Sequence, residues 1–167
     1  MNCFAVAATS FVGFNTGAGN WKRVSRSAFT AAGLAFSTGL VLGVLGNVFG
    51  VELLHLFTND PESIAQGLYR VRLVCGFYCL CGIMDCLAYS IRGMGYAMLP
   101  AVVSMIGGCG IRVLWVMTIF SLPAFHSVFW LYMTYPVSWT VTSATLLVCF
   151  LHVFRKLSSG GRRPVGA

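Results

Sequence analysis

The chain has 167 residues, of which 57% are hydrophobic and only 9% charged. A soluble domain carries about 25% charged residues, so this chain lacks the polar surface to coat a globule; a soluble enzyme, a disordered chain and a secreted disulfide scaffold all fit poorly. The surplus apolar surface must face lipid, which predicts an all-α membrane protein. At about 20 residues per span, the length holds four full transmembrane helices and a remainder.

The net charge of +7 does not read as a nucleic-acid footprint. Its carriers cluster as Lys22, Arg23 and Arg26, as Arg92, and as Arg155, Lys156, Arg162 and Arg163. Each group ends an apolar run, and no basic stripe interleaves with aromatics as phosphate-gripping surfaces require. Cys75, Cys79, Cys81, Cys86, Cys109 and Cys149 fall inside apolar segments, where thiols behave as small hydrophobes, and Cys3 sits in the leading one. No C-x-x-C is present, and His55, His126 and His152 are too scattered to complete a metal site.

Residues 1–14 are apolar but too short to span, and they lack the basic start of a signal peptide; they read as the last half of a helix. Residues 15–26 read as a Gly/Asn loop carrying basic residues. A first full span is expected over about 27–57, uncharged from Ser27 to Val51. Within it Gly39-x-x-x-Gly43 and Gly46-x-x-x-Gly50 would let a neighbouring backbone approach closely, although glycine is also simply frequent in membrane helices. Thr58-Asn59-Asp60-Pro61-Glu62 reads as a loop and helix start, with Asp60 capping, Pro61 in the first helical position and Glu62 at the positive dipole end. A second span follows over about 68–91, then a tight turn at Arg92-Gly93-Met94-Gly95-Tyr96. A third span is expected over 98–120 and a turn at Ser121-Leu122-Pro123. The fourth runs over about 128–153 and carries Pro136, ahead of a flexible basic tail at 158–167.

Orientation follows from the basic residues. The 15–26 loop, the 92–97 turn and the C-terminal tail share one side and most of the Lys/Arg. The other side has Arg70 and Arg72 just inside a helix start, with Asp60 and Glu62 in its loop. The basic side, and with it the C-terminus, is expected to be cytoplasmic.

Several segments together resemble the multidrug and toxic-compound extrusion (MATE) family. Phe11-Val12-Gly13-Phe14-Asn15-Thr16-Gly17-Ala18-Gly19-Asn20-x-x-Arg23 is similar to the loop after the second helix of a six-helix lobe. Leu56-Phe57-Thr58-Asn59-Asp60-Pro61-Glu62 resembles the outer loop before the tenth helix. Ile91-Arg92-Gly93-Met94-Gly95-Tyr96, followed by Pro100, resembles the turn between helices ten and eleven. Cys109-Gly110-Ile111-Arg112-Val113-Leu114-Trp115 and Tyr135-Pro136-Val137-Ser138-Trp139 read like the last two helices. The family pattern is twelve helices in two lobes. The resemblance therefore implies that residues 1–157 are a partial C-terminal lobe, from the end of helix eight to helix twelve, and that the chain is a fragment. One departure stands out: Phe14 occupies the place before Asn15 where the family usually has Gln.

Asp85 lies among Cys79, Leu80, Cys81, Ile83, Met84 and Leu87. An ionised carboxylate there costs roughly 3 kcal/mol on insertion scales unless it is protonated or faces water. That cost makes it the candidate for proton or cation coupling, against the alternative of a structural acid hydrogen-bonded near the helix end. Members of the resembled family use an acid on the tenth helix, about one turn further from the Arg-Gly turn in several of them. Arg112 is the other costly residue. Its depth differs from that of Asp85 by roughly 13 Å, so direct pairing is not expected; capping carbonyls, lining a cavity or snorkelling are the open roles. Asp85, Tyr89 and Arg112 are the candidate ion-coupling and substrate-pathway residues, and Asn15, Gly17, Gly19 and Asn20 the candidate loop motif. Trp115, Trp130, Trp139, Tyr132 and Tyr135 could line a cavity for flat cations or anchor the helices at the interface.

The resemblance implies a secondary antiporter of the plasma (inner) membrane. It would export lipophilic or cationic drugs by alternating access, driven by a proton or sodium ion, with no other cofactor and no catalytic residue. The expected partners are the lipid bilayer, the exported compound and the missing transporter helices, without which the chain is not expected to transport. A non-transporting helical subunit that assembles with a partner supplying those helices is the alternative. A four-helix thiol oxidoreductase is disfavoured, because the loops 58–66 and 121–127 contain no cysteine.

Overall fold

The computed structural model describes residues 2–56, 60–118 and 128–159, and everything described is helix or short connection. Phe57, Thr58 and Asn59 of the expected outer loop, the turn at 121–123 and positions 160–167 of the tail lie outside the described residues. The helices are α1 (Asn2–Gly17), α2 (Trp21–Val48), α3 (Gly50–His55), α4 (Pro61–Gly76), α5 (Tyr78–Gly93), α6 (Met98–Met105), α7 (Ile111–Thr118) and α8 (Val128–Ser159). A π-helical turn, Ile106–Gly110, joins α6 to α7. The chain is an all-α membrane protein. Trp21–Val48, Met98–Thr118 and Phe129–Ser159 are each long and apolar enough to cross a bilayer. The bent pair α4–α5 passes the same test as one unit.

The stretch 15–26, expected as a loop, is mostly helix. α1 continues to Gly17 and α2 begins at Trp21, leaving a connection of three residues. Two local devices make so short a turn possible. Gly19 takes φ +67°, where a side chain would be strained. Asn20 caps α2, its side chain accepting from the Arg23 amide at 3.4 Å.

The start of α4 follows the expected chemistry. Pro61 opens the helix, and the exposed Asp60 carboxylate accepts from the Ser63 hydroxyl at 2.6 Å and the Ser63 amide at 3.0 Å. Those bonds hold its carboxyl below the ordinary 3.8. A depressed folded value means that the cap contributes fully above the unfolded value and is lost as pH falls through the folded one. Hydrogen exchange at the Ser63 amide should therefore show constant protection above about pH 4 and declining protection below it. Asp60→Asn, which can still cap, should lose the pH step; a wild-type protection factor flat into strong acid would refute a charged cap.

The second span is not straight. α4 and α5 meet at Phe77 with a 45° bend. There the backbone ladder tightens from four residues to three: the Phe77 amide donates to Val74 O at 3.2 Å, and Leu80 N to Phe77 O at 3.0 Å. α2 and α3 are also divided, at Phe49, but there the bonds on either side keep the four-residue spacing, Phe49 N donating to Leu45 O at 2.9 Å and Leu53 N to Phe49 O at 3.0 Å. The fourth helix runs through Pro136 and continues to Ser159, beyond the expected end at 153. Its last described turn carries Lys156, where a cation suits the negative end of the helix dipole.

Packing is carried by small residues, as expected where lipid removes the hydrophobic drive between helices. α1 and α5 run parallel: Thr9 Oγ1 donates to Tyr89 O at 3.0 Å, and a Cβ on Gly93 would lie 2.7 Å from Thr9 O. α2 runs antiparallel to α4. A Cβ on Gly43 would lie 2.5 Å from the Cys75 carbonyl oxygen, one on Gly46 3.4 Å from Cys75 Sγ, and one on Gly50 3.1 Å from Leu68. The overlapping small-residue pattern is thus a close helix seam. A larger core, with Val12, Val24, Leu87, Ile91, Leu146 and Phe150, joins α1, α2, α5 and α8 near the turn at 92–97.

Candidate functional site

Cys81, Asp85, Tyr89 and Arg92 recur on α5 at a spacing that puts them along one face. The opposite face, with Cys79, Gly82, Cys86 and Ser90, is buried. Asp85 is half-buried, and Tyr89, one turn along, is half-buried too. The Arg92 guanidinium lies 4.9 Å from the centre of the Tyr89 ring. Tyr89 contributes its backbone as well, since its carbonyl accepts the Thr9 hydroxyl. Asp85 and Tyr89 therefore belong to one strip, closed at its loop end by Arg92 and flanked by α1.

Arg112 stands apart from Asp85 and Tyr89, nearer the Cys81 end of that face. Its guanidinium sits 4.4 Å above the Tyr135 ring. The parallel register of α5 and α8, fixed by the Tyr78–Trp139 ring contact and by the Ser143 hydroxyl on Leu80 O, carries the level of Tyr135 back into α4. By that register the Arg112 guanidinium lies toward the α4 end of the span, away from Asp85. Arg112 instead ties α7 to α8. Its Nε is buried without a hydrogen-bond partner among the described residues, as is Thr134 Oγ1. A guanidinium can spend its charge on a ring face in this way, since cation–π attraction grows when both partners are desolvated.

The aromatics around it are packed against each other and the helices. Trp139, 7% exposed, meets Tyr78 and Tyr135 edge-on at 6.3 and 6.0 Å. Trp115 Nε1 donates to Trp130 O at 3.0 Å, and Arg70 lies 5.8 Å from the Tyr132 ring centre. Trp139, Tyr135 and Trp115 thus make contacts along the seams of α8.

The loop motif divides into structural roles. Asn15 is in α1, its side-chain amide donating to Phe11 O at 2.7 Å and its backbone carbonyl accepting from Asn20 N at 2.9 Å. Gly17 ends α1, Gly19 supplies the positive φ and Asn20 the cap. Phe14, beside Asn15, points outward with 83% of its surface exposed.

Three buried hydroxyls went unread in the sequence. Ser138 Oγ donates to Gly107 O at 2.7 Å inside the π turn, Thr142 packs on Gly107 itself, and Ser90 Oγ donates to Cys86 O at 2.7 Å. The signal was Gly107-Gly108-Cys109-Gly110, a glycine cluster that leaves the helix ladder pliable and a carbonyl within reach. Ile111 N reaches back five residues to Ile106 O, which is the π bond.

Comparison with known proteins adds one finding. The family model MatE matches residues 1–117. No curated protein and no solved structure matches the chain.

Proposed function

The chain belongs to the MatE family of membrane transporters, and from that membership we propose that it forms part of a secondary antiporter exporting lipophilic or cationic compounds. The family match over residues 1–117 carries this reading. The α5 strip supports a mechanism for it. A carboxylate among apolar side chains is costly while ionised and unpaired, so binding a proton or a sodium ion relieves that cost. Asp85 is the residue that takes and releases the coupling ion, with Tyr89 beside it on the same face. Arg92, at the loop end, supplies positive potential that favours release toward that side. Arg112 is a packing residue between α7 and α8. The basic loops face the cytoplasm, by the excess of Lys and Arg on that side.

Alternating access needs two helical units that rock around a shared site. The described helices make part of one such unit, so in this reading the chain acts together with further helices, as a partial lobe. Proteoliposomes carrying the chain alone, loaded with a fluorescent cationic dye and given a pH or sodium gradient, should show no gradient-driven efflux. Co-reconstitution with a polypeptide bearing the remaining helices of such a transporter should produce it. Efflux by the chain alone would overturn the partial-lobe reading. A stable complex of the two polypeptides with no efflux would favour a non-transporting subunit.

A further inference from the structure

A groove of about 460 Å³ between α1 and α2 lies outside the α5 strip. The two helices form an antiparallel hairpin, so its lining is ordered by depth. Asn15, Arg23 and Arg26 line the end nearest the 18–20 connection, and Phe4, Ala7 and Leu34 the other. Along α2 the distance from Arg23 to Leu34 is roughly 16 Å. That is about half of a hydrocarbon core of about 30 Å, or one leaflet.

Charge complementarity narrows the occupant. Arg23 and Arg26 are exposed, and they stand in the first turns of α2, where the helix dipole is positive. Three of the four acids, Glu52, Asp60 and Glu62, belong to α3 and the start of α4, at the opposite end of α2. The fourth, Asp85, is on α5. The groove thus offers a paired guanidinium site at interface depth and an apolar trough below it. A phospholipid has that same order of charge and apolar surface, and guanidinium groups match phosphate oxygens in a two-pronged geometry.

We propose that the α1–α2 groove binds one anionic phospholipid from the leaflet facing the basic loops, its phosphate held by Arg23 and Arg26 and one acyl chain lying along Phe4, Ala7 and Leu34. The lipid fills the hairpin from the membrane side and fixes the angle between α1 and α2. This site is independent of the coupling role given to Asp85.

The test uses the full chain in nanodiscs of phosphatidylcholine with added phosphatidylglycerol, and native mass spectrometry to read retained lipid. Phosphatidylglycerol should be retained in preference to phosphatidylcholine. The Arg23→Gln/Arg26→Gln double variant should weaken its retention roughly ten- to thirty-fold, to the level of phosphatidylcholine. Lys22→Gln, an exposed cation that does not line the groove, should leave the preference unchanged. Ala7→Trp, which fills the apolar arm from an exposed position, should expel both lipids, with circular dichroism confirming the helical fold of each variant. Equal retention of the two lipids, or a double variant that keeps the preference, overturns the proposal. So does release of the lipid by inorganic phosphate, which would make the site one for a free anion. A photo-crosslinker at Ala7 that captures a polypeptide instead of lipid would also overturn it, by assigning the groove to another helix.

Discussion

Gly43→Ala should lower the stability of the bundle by about 3 kcal/mol, the upper end of the usual cost of overpacking. The new methyl carbon would lie 2.5 Å from the Cys75 carbonyl oxygen. Backbone cannot rotate away as a side chain can, so α2 and α4 must separate along their whole seam. Separation also loosens the seam at Gly46 and Gly50, where an added Cβ would lie 3.4 Å and 3.1 Å from atoms of the same helix. Gly33→Ala on the same helix is the matched control, because a Cβ there meets nothing within 4 Å. Thermal melts of the two variants in one detergent, followed by circular dichroism, check the contrast. Equal melting temperatures for the two would mean that α2 and α4 are not in backbone contact.

The second large effect is functional. In the assembled transporter, Asp85→Asn should reduce gradient-driven export about a hundredfold. The basis is the roughly 3 kcal/mol that an ionised carboxylate costs in the bilayer, at 1.4 kcal/mol per tenfold. With no charge to neutralise, ion binding no longer distinguishes loaded from empty states. Passive exchange of dye across the protein without a gradient should persist. Asp85→Glu should retain coupling with a displaced pH or sodium dependence. A structural acid would behave differently: Asp85→Asn would then lower the melting temperature and leave the ion dependence of the remaining transport unchanged.

Much of the architecture was readable because a few residue types act locally. Asp60 and Pro61 start α4 as their chemistry dictates, and Gly95, at φ +93°, turns the chain after α5. The glycines of α2 marked a seam because only a missing side chain admits a neighbouring backbone. Apolar periodicity was of less use, since lipid and protein neighbours are equally apolar and a lipid-facing leucine looks like a core one. The bend at Phe77 and the π turn at Ile106–Gly110 therefore passed unseen. The π turn matters for Arg112, because one extra residue rotates everything beyond it by about 100°. Drawn as a straight helix, the segment 98–120 would aim Arg112 elsewhere than at Tyr135. On the candidate strip, the apolar neighbours of Asp85 were legible, but the flank of α1 beside Tyr89 depended on a hydroxyl-to-carbonyl bond eighty residues apart in sequence. The Gly/Asn stretch at 15–20 misled because its polar side chains cap helices at close quarters instead of lengthening a loop.

The parallel pairing of α1 with α5 has a mechanical consequence. Gly13 and Gly93 bring the two backbones together, a Cβ on Gly13 lying only 3.3 Å from Gly93 O. Two rods joined at that spacing cannot slide past one another without a clash, so any swing of α5 would carry α1 with it. Its pivot is Phe77, and its length, the 16 residues of α5, is about 24 Å. Opening or closing the bend by about 10° would carry the free end through roughly 4 Å, and α1 would travel with it. A small adjustment midway across the bilayer would thereby be delivered, magnified, to the connection at 18–20 and the basic first turns of α2 beyond it.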